Sequence, residues 1–135
     1  SQEVEVFDCG FIVNMGSTTD LPDDVVAAYN APFPDDRSTA GARRFPMLVP
    51  TSPDDPSAAA NRAAWDVLEA WDKPLVTAFS DRDPVTAGGD RAFIERVPGA
   101  AGQPHRTLAG GGHFLQEDCG PELAAVVTDL IERTS

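Results

Sequence analysis

The segment GGGHFLQED, residues 110–118, places a histidine directly after three glycines. A backbone can bend sharply at such a point, and the bend would present the imidazole of His113 to its surroundings. A second polar segment, SDRDP at residues 80–84, contains Asp83. A carboxylate beside an imidazole accepts the proton of one ring nitrogen and leaves the other nitrogen free as a general base. The residue types therefore predict a base, His113, and an acid that orients it, Asp83.

The elements around these two segments are expected to bring them together. Residues 74–80 and 105–110 are short runs of strand formers, and residues 88–97 between them predict a helix. A last helix opens at Pro121 and carries one apolar face: Leu123, Val126, Val127, Leu130 and Ile131. This alternation is typical of an α/β fold with a parallel sheet. Because the carboxyl ends of parallel strands share one edge, Asp83 and His113 should lie close together.

Two features indicate that this α/β unit is the edge of something larger. Parallel sheets are buried on both faces, so two strands need further strands beside them. A base and an acid also need a nucleophile, which a fold of this kind carries on a sharp turn of the form G-x-nucleophile-x-G. No serine, cysteine or aspartate of the sequence lies in such a turn. We therefore expect the nucleophile to be missing from this chain.

The first half of the chain has a different character. Residues 1–56 are rich in proline, aspartate and glycine, which predicts short helices joined by bent loops. Residues 21–30 predict a helix with acidic residues in its first turn, and a weaker helix ends in GARRF, residues 41–45. Residues 57–71 predict a longer helix, one face of which holds Ala64, Val67, Leu68 and Trp71.

Composition limits the possible partners and setting. The 135 residues are 41% hydrophobic, enough for the core of one domain or part of a larger one. Twenty-two acidic and ten basic side chains give a net charge of -12, which disfavours nucleic acid and anionic membrane surfaces as partners. The two cysteines, Cys9 and Cys119, show no metal-ligand spacing, and the first residues lack the features of an export signal. These observations favour a reducing, cytoplasmic location.

From about Phe7 to its end, the sequence resembles the C-terminal half of a haloalkane dehalogenase, a family of α/β-hydrolases. The segments that carry the resemblance, in the family's order, are VVAAYNAPFPDD, GARRFPMLVPTSPDDP, NRAAWDVLEAWDKP, FSDRDPVT and GGGHFLQED. The resemblance implies that residues 1–72 are part of a helical cap and that residues 73–135 are the C-terminal part of the hydrolase core. It also implies that His113 is the base, and that Asp83 rather than Asp81 is the acid.

The resemblance further implies a reaction. The family's nucleophile is an aspartate in the N-terminal half, which displaces halide from carbon and forms an alkyl ester. His113 would then activate water to hydrolyse that ester, without any metal or organic cofactor. The halide-binding donors would also lie upstream, so Trp65 and Trp71 are expected only to pack. The positions that resemble substrate-lining residues of the family are Phe45, Pro46, Val49, Val85 and Phe114.

Other interpretations remain open. A related capped hydrolase acting on epoxides or haloacids would share the base and the fold, although an epoxide hydrolase needs cap tyrosines and only Tyr29 is present. A third hypothesis is an inactive fragment that associates with itself to cover its open sheet edge. If the chain is half of a dehalogenase, its partner should be the N-terminal half of the enzyme; if it is an inactive fragment, its partner should be a second copy. Under both hypotheses the chain by itself should be inactive.

Structural roles are also available to the acidic residues of both segments. Asp83 could close a local turn, and the apolar lining positions could serve any core. Glu117 and Asp118 are expected to complement the positive end of the final helix.

Overall fold

A pair of parallel strands lies where the sequence predicts it. The computed structural model describes residues 7–135. In this part of the chain β1, Ala78–Ser80, pairs with β2, Arg106–Leu108, in parallel, and Ser80 lies opposite Leu108. Both strands are shorter than the predicted runs. The predicted parallel pairing is confirmed.

Helices before and after β2 complete the C-terminal half of the chain. The connection from β1 to β2 contains α5, Asp90–Arg96, and a 3₁₀ turn, Pro98–Ala100. After β2 follow a one-turn helix, α6, Leu115–Asp118, and the final helix α7, Gly120–Thr134. The predictions of α5 and α7 are confirmed, and α6 was not predicted. The final helix begins just after Cys119, with Pro121 in its first turn, where proline needs no backbone N–H partner.

Two short helices precede the sheet and pack tightly on each other. They are α1, Cys9–Gly16, and α2, Asp23–Asn30. The contact is close because Gly10 has no side chain: a Cβ there would lie 2.2 Å from the Val26 carbonyl oxygen. The Gly10 amide donates to the Asn30 side chain at 2.9 Å, and that side chain donates to Asp8, the residue that caps α1. The predicted helix at residues 21–30 is confirmed as α2.

The middle of the chain contains α3, Ala40–Arg44, a 3₁₀ turn, Phe45–Leu48, and α4, Ala58–Leu68. The helix α4 ends at Leu68, earlier than predicted, so Trp71 lies beyond it. Of its predicted apolar face, Val67 is 63% exposed, whereas Trp65 packs on Phe93 of α5 with 5.1 Å between ring centroids. Packing against α5, rather than helical periodicity, thus selects the buried side of α4.

Most of the buried apolar side chains in the described part lie beside the sheet or near α1, and Ala58 is buried in α4. Val97, Ala100, Leu108 and Cys119 are buried near the strands, and Val13 and Leu21 near α1. Large apolar side chains stay exposed on several elements: Phe11, Met15, Phe45, Met47, Leu48, Val49, Val67, Trp71, Val85, Ile94, Val127 and Ile131. On α7, the predicted apolar face is therefore only partly covered.

The predicted division of the chain near residue 72, between cap and core, stays a prediction. Residues 1–6 of the predicted cap lie outside the described part. Across residues 7–135, no helix combines the length and the apolar character needed to cross a membrane.

Candidate active site

His113 and Asp83 meet at the carboxyl ends of the two strands. Asp83 follows β1 and His113 follows β2. The imidazole Nδ1 lies 3.1 Å from each carboxylate oxygen of Asp83. The Asp83 side chain is 5% exposed and that of His113 is 36% exposed. The structure thus brings the predicted base and acid into direct contact, with the acid buried and the base reaching the surface.

The surroundings of Asp83 keep its carboxylate ionised. Burial raises the pKa of Asp83, but hydrogen bonds from the Thr86 hydroxyl, the Val85 amide and His113 outweigh burial and lower that pKa to about 2. The Val85 amide donates to Oδ1 at 2.7 Å, so Asp83 also closes a local turn. The turn thus fixes the carboxylate that contacts the imidazole, and the role of Asp83 as the acid stays a prediction.

The ionised carboxylate determines which imidazole nitrogen is free. A carboxylate only accepts hydrogen bonds, so Nδ1 of His113 must carry the proton that Asp83 accepts. In the neutral imidazole, Nε2 is then unprotonated. A partly exposed, unprotonated Nε2 can accept a proton from water or from another acid, which is what a general base does.

The loop that carries His113 is tied to the end of β1 along its length. The Gly110 amide donates to Asp81 Oδ1 at 2.7 Å, and the Arg82 amide donates to the Gly111 carbonyl at 3.1 Å. The Ser80 hydroxyl donates to the Gly112 carbonyl at 2.8 Å. Gly110 has a φ of 87°, a left-handed conformation that favours glycine. Asp81 thus holds the start of this loop, while Asp83 contacts the imidazole.

Asp118 has a role that the sequence analysis missed. Its carboxylate accepts the amides of Thr18, Thr19 and Gly112, the last at 2.7 Å. Burial raises the pKa of Asp118, but these amide hydrogen bonds hold it far below its ordinary value. Asp118 ends α6 and lies two residues before α7, so its expected role at the start of the final helix stays a prediction beside the hydrogen bonds that the structure shows. Only its position five residues after His113 could have drawn attention to it.

Glu117, the neighbour of Asp118, also bonds to the first half of the chain. The Tyr29 hydroxyl of α2 donates to its carboxylate, and this hydrogen bond raises the pKa of Tyr29. The expected role of Glu117 at the final helix also stays a prediction. Because the Tyr29 hydroxyl is engaged here, it is a poor proton donor for an epoxide oxygen.

The five predicted lining residues are distributed unevenly around this pair. Phe114 lies beside the base, with its ring edge-on to the imidazole and 5.1 Å between centroids. Phe45 and Pro46 line an apolar cavity of about 440 Å³ between α1, α2 and α3, and neither His113 nor Asp83 is among its lining residues. Val49 and Val85 are 59% and 70% exposed. The structure therefore places Phe114 beside the base and Val85 beside the acid, to which its amide donates, whereas Phe45 and Pro46 line a cavity that does not include the pair.

Metal-ligating side chains do not cluster in the described part of the chain: within residues 7–135, no three His, Cys, Asp or Glu side chains are grouped so as to hold a metal ion.

Comparison with known proteins identifies relatives of this chain. No family model matches it. A haloalkane dehalogenase of Psychrobacter cryohalolentis is 53% identical over 131 residues, which are 97% of this chain and 43% of the relative. Those of Mycobacterium marinum and Mycobacterium bovis are 54% and 53% identical over 119 residues, 88% of this chain and 40% and 39% of the relatives.

The matched region is the C-terminal part of these α/β-hydrolases. The chain thus spans about two fifths of the length of the curated relatives that it matches. Over nearly its whole length, the chain matches the C-terminal part of haloalkane dehalogenases at about 53% identity.

Proposed function

We propose that this chain provides the base and the acid of a haloalkane dehalogenase, with His113 as the base and Asp83 as the acid. The observation that carries the proposal is the contact of Nδ1 with both oxygens of a buried, ionised Asp83. This contact leaves Nε2 free and stabilises the imidazolium that forms when Nε2 takes a proton. The names of the relatives, which are haloalkane dehalogenases, support the substrate class.

The reaction has two steps, and His113 acts in the second. In the first step, a carboxylate in the remainder of the enzyme attacks the carbon, a C–O bond forms, and the carbon–halogen bond breaks with release of halide. In the second step, a water molecule gives a proton to Nε2 of His113 as its oxygen attacks the ester carbonyl. The tetrahedral intermediate expels the alkoxide, which takes the proton from the imidazolium and leaves as alcohol. The regenerated carboxyl group loses its proton to solvent.

The apolar residues near the pair and at the end of α3 would line the substrate site. Phe114 is in place beside His113. We place Phe45, Pro46, Val49 and Val85 in the same lining on the strength of the resemblance and of their exposure in this chain. An apolar lining suits a haloalkane because such a substrate offers carbon and halogen surface and few hydrogen-bonding groups.

The exposed apolar side chains support association with further protein. Val127 and Ile131 of α7 are 51% and 56% exposed, although their spacing is that of a buried face. We propose that they pack against the remainder of the hydrolase core, or else against a second copy of this chain. Residues 1–72 would then form part of the cap and residues 73–135 part of the core, in a cytoplasmic enzyme.

The test is to trap the alkyl ester. This chain is joined behind the part of the Psychrobacter relative that precedes the matched region, and we call the product the assembled enzyme. With His113→Gln, a chloroalkane should still alkylate the nucleophile, because the first step needs no base, while hydrolysis should stop. Mass spectrometry should show one alkyl group per enzyme.

The matched control is the other histidine. His105 lies away from Asp83: its Nδ1 contacts Thr77 and its Nε2 the Ala100 carbonyl. The His105→Gln enzyme should turn over substrate without a lasting adduct. Continued turnover in the His113→Gln enzyme would refute the proposed role of His113.

A further inference from the structure

The loop of His113 is held from both sides, and the second side belongs to the first half of the chain. Residues 16–19, the last residue of α1 and the three that follow it, lie directly against residues 110–114. The His113 amide donates to the Gly16 carbonyl at 2.7 Å, and the Thr18 hydroxyl donates to the Gly110 carbonyl at 2.5 Å. We call residues 16–19 the seat of the histidine loop.

The two segments approach so closely that there is no room for a side chain at Gly16 or Gly112. A Cβ on Gly112 would lie 2.6 Å from the Gly16 carbonyl oxygen, and a Cβ on Gly16 would lie 2.7 Å from the Phe114 ring. Real Cβ atoms do not occupy such positions, so glycine is required on both sides of this contact. The place of the His113 backbone therefore depends on how the seat is fixed.

One carboxylate fixes the seat to the loop. Asp118 Oδ1 accepts the Thr19 amide at 2.8 Å, Oδ2 accepts the Gly112 amide at 2.7 Å, and the Thr18 amide lies 3.1 Å and 3.0 Å from the two oxygens. Gly112 directly precedes His113. Hydrogen bonds to an ionised acceptor are stronger than those between neutral groups, so this carboxylate is a stiff link between the two segments.

We propose that Asp118 is a positioning residue for the base: by joining Gly112 to Thr18 and Thr19, it holds the His113 imidazole at the place required for ester hydrolysis. The proposal rests on the proposed function, since it concerns the step in which His113 acts. Asp118 does not contact Asp83 or the imidazole in the hydrogen bonds of this site, so its effect passes through the backbone. The first step, displacement of halide, should not depend on it.

The distinguishing experiment measures the two steps separately in the assembled enzyme. Asn at position 118 has one carbonyl oxygen, and its NH₂ group would face a backbone amide on the other side, so either the Gly112 or the Thr19 link is lost. With Asp118→Asn, the first turnover should still release about one bromide per enzyme from a bromoalkane. Steady turnover should then fall about tenfold to a hundredfold, because a small displacement of a catalytic group has costs of this size.

Two variants complete the series. Thr18→Val removes the hydroxyl bond to Gly110 without touching Asp118, and it should show the same burst with a smaller loss of steady turnover, even if Asp118→Asn does not fold. Asp129→Asn removes an exposed carboxylate of α7 that pairs with Arg133, and it should leave both phases unchanged.

The outcomes separate the two proposals. A burst followed by slow turnover, with the alkyl ester visible by mass spectrometry, supports a positioning role. If burst and steady turnover fall in equal proportion, or if Asp118→Asn turns over like the parent, Asp118 has no such role; if Asp118→Asn does not fold, an unchanged Thr18→Val enzyme refutes the dependence of the base on residues 16–19. If His113→Gln fails to trap the ester in the same assay, the proposed function itself is wrong.

Discussion

The histidine loop, residues 110–114, and the segment Phe45–Val49 are both proposed to meet the substrate, yet the contacts that hold them within this chain differ. Residues 110–114 are held by hydrogen bonds from the end of β1, from Asp118 and from the seat. Residues 45–49 carry large side chains that remain open, with Phe45 73% and Val49 59% exposed. The His113–Asp83 pair is therefore held in place by contacts within this chain, whereas the side chains of residues 45–49 are left largely open by it.

This difference follows from the physics of the two kinds of contact. Hydrogen bonds are directional and short, so a few donors and acceptors inside one chain can fix an imidazole and a carboxylate within narrow limits. Apolar burial is non-directional and needs surrounding surface. The environment of Phe45 is therefore set by whatever packs on it, while that of His113 is set by its own neighbours in sequence and in the sheet.

Among the variants that test this comparison, Asp83→Asn in the assembled enzyme should cause the largest loss of turnover. The carboxylate of Asp83 now accepts hydrogen bonds from the Val85 amide, the Thr86 hydroxyl and Nδ1 of His113. The NH₂ group of an asparagine would face at least one of these donors, and two donors cannot form a hydrogen bond. The imidazole would then favour the wrong tautomer, and turnover should fall by up to about ten-thousandfold, as in serine-protease triads. Steady-state halide release measures the loss.

The neighbouring aspartate provides the control for this change. Asp81 accepts the Gly110 amide at 2.7 Å and does not contact the imidazole in the hydrogen bonds of the site. Asp81→Asn should therefore cost far less turnover than Asp83→Asn. Equal losses in the two variants would mean that the loop as a whole matters and that Asp83 has no particular role as the acid.

How much of this arrangement was predictable depends on the range of the interaction. The contact of Asp83 with His113 follows from two strand predictions and one rule about parallel sheets, and it is confirmed. The helix α2 followed from its acidic first turn and the proline after its end. These are local signals combined with a strong topological constraint, and such signals are visible in one sequence.

Contacts between distant segments were not predictable in the same way. Asp118 bonds to Thr18 and Thr19, about a hundred positions away in sequence, and no local pattern marks such a pair. By composition the acidic residues of HFLQED predict a role at a helix start, and nothing in that pattern indicates their hydrogen bonds to Thr18, Thr19 and Tyr29. Likewise, the periodicity of α4 predicts which of its side chains share a face, but not which element packs on the helix. In the structure, Phe93 of α5 packs on Trp65, which is not part of the predicted face.

The pH dependence of the free energy of unfolding tests the environment of the Asp83 carboxylate, and here the expected effect is smaller. The pKa of Asp83 is about 2 in the folded protein and 3.8 ordinarily, so its ionised form stabilises the fold above about pH 4. That contribution, about 2 kcal/mol, should be lost as pH falls toward 2. Urea unfolding of the assembled enzyme at pH 5 and pH 2 should therefore show a smaller difference for Asp83→Asn than for the parent. The Asp129→Asn enzyme serves as a control, and a full-size difference in Asp83→Asn would contradict the assignment.

The smallest expected effect concerns the apolar part. If Phe45 lines the substrate site, Phe45→Leu removes apolar contact that the bound substrate makes equally before and during reaction, so KM should rise with kcat unchanged. A loss of about 1 kcal/mol of burial corresponds to about a fivefold rise in KM. Phe11→Leu is the matched control, because Phe11 is also exposed, at 57%, but does not line the cavity that contains Phe45. Steady-state kinetics with a series of bromoalkanes of increasing length should show the rise for Phe45→Leu alone and most strongly for the longer chains. If both variants shift KM equally, or if kcat falls while KM stays constant, Phe45 belongs to the packing of the enzyme and not to its substrate site.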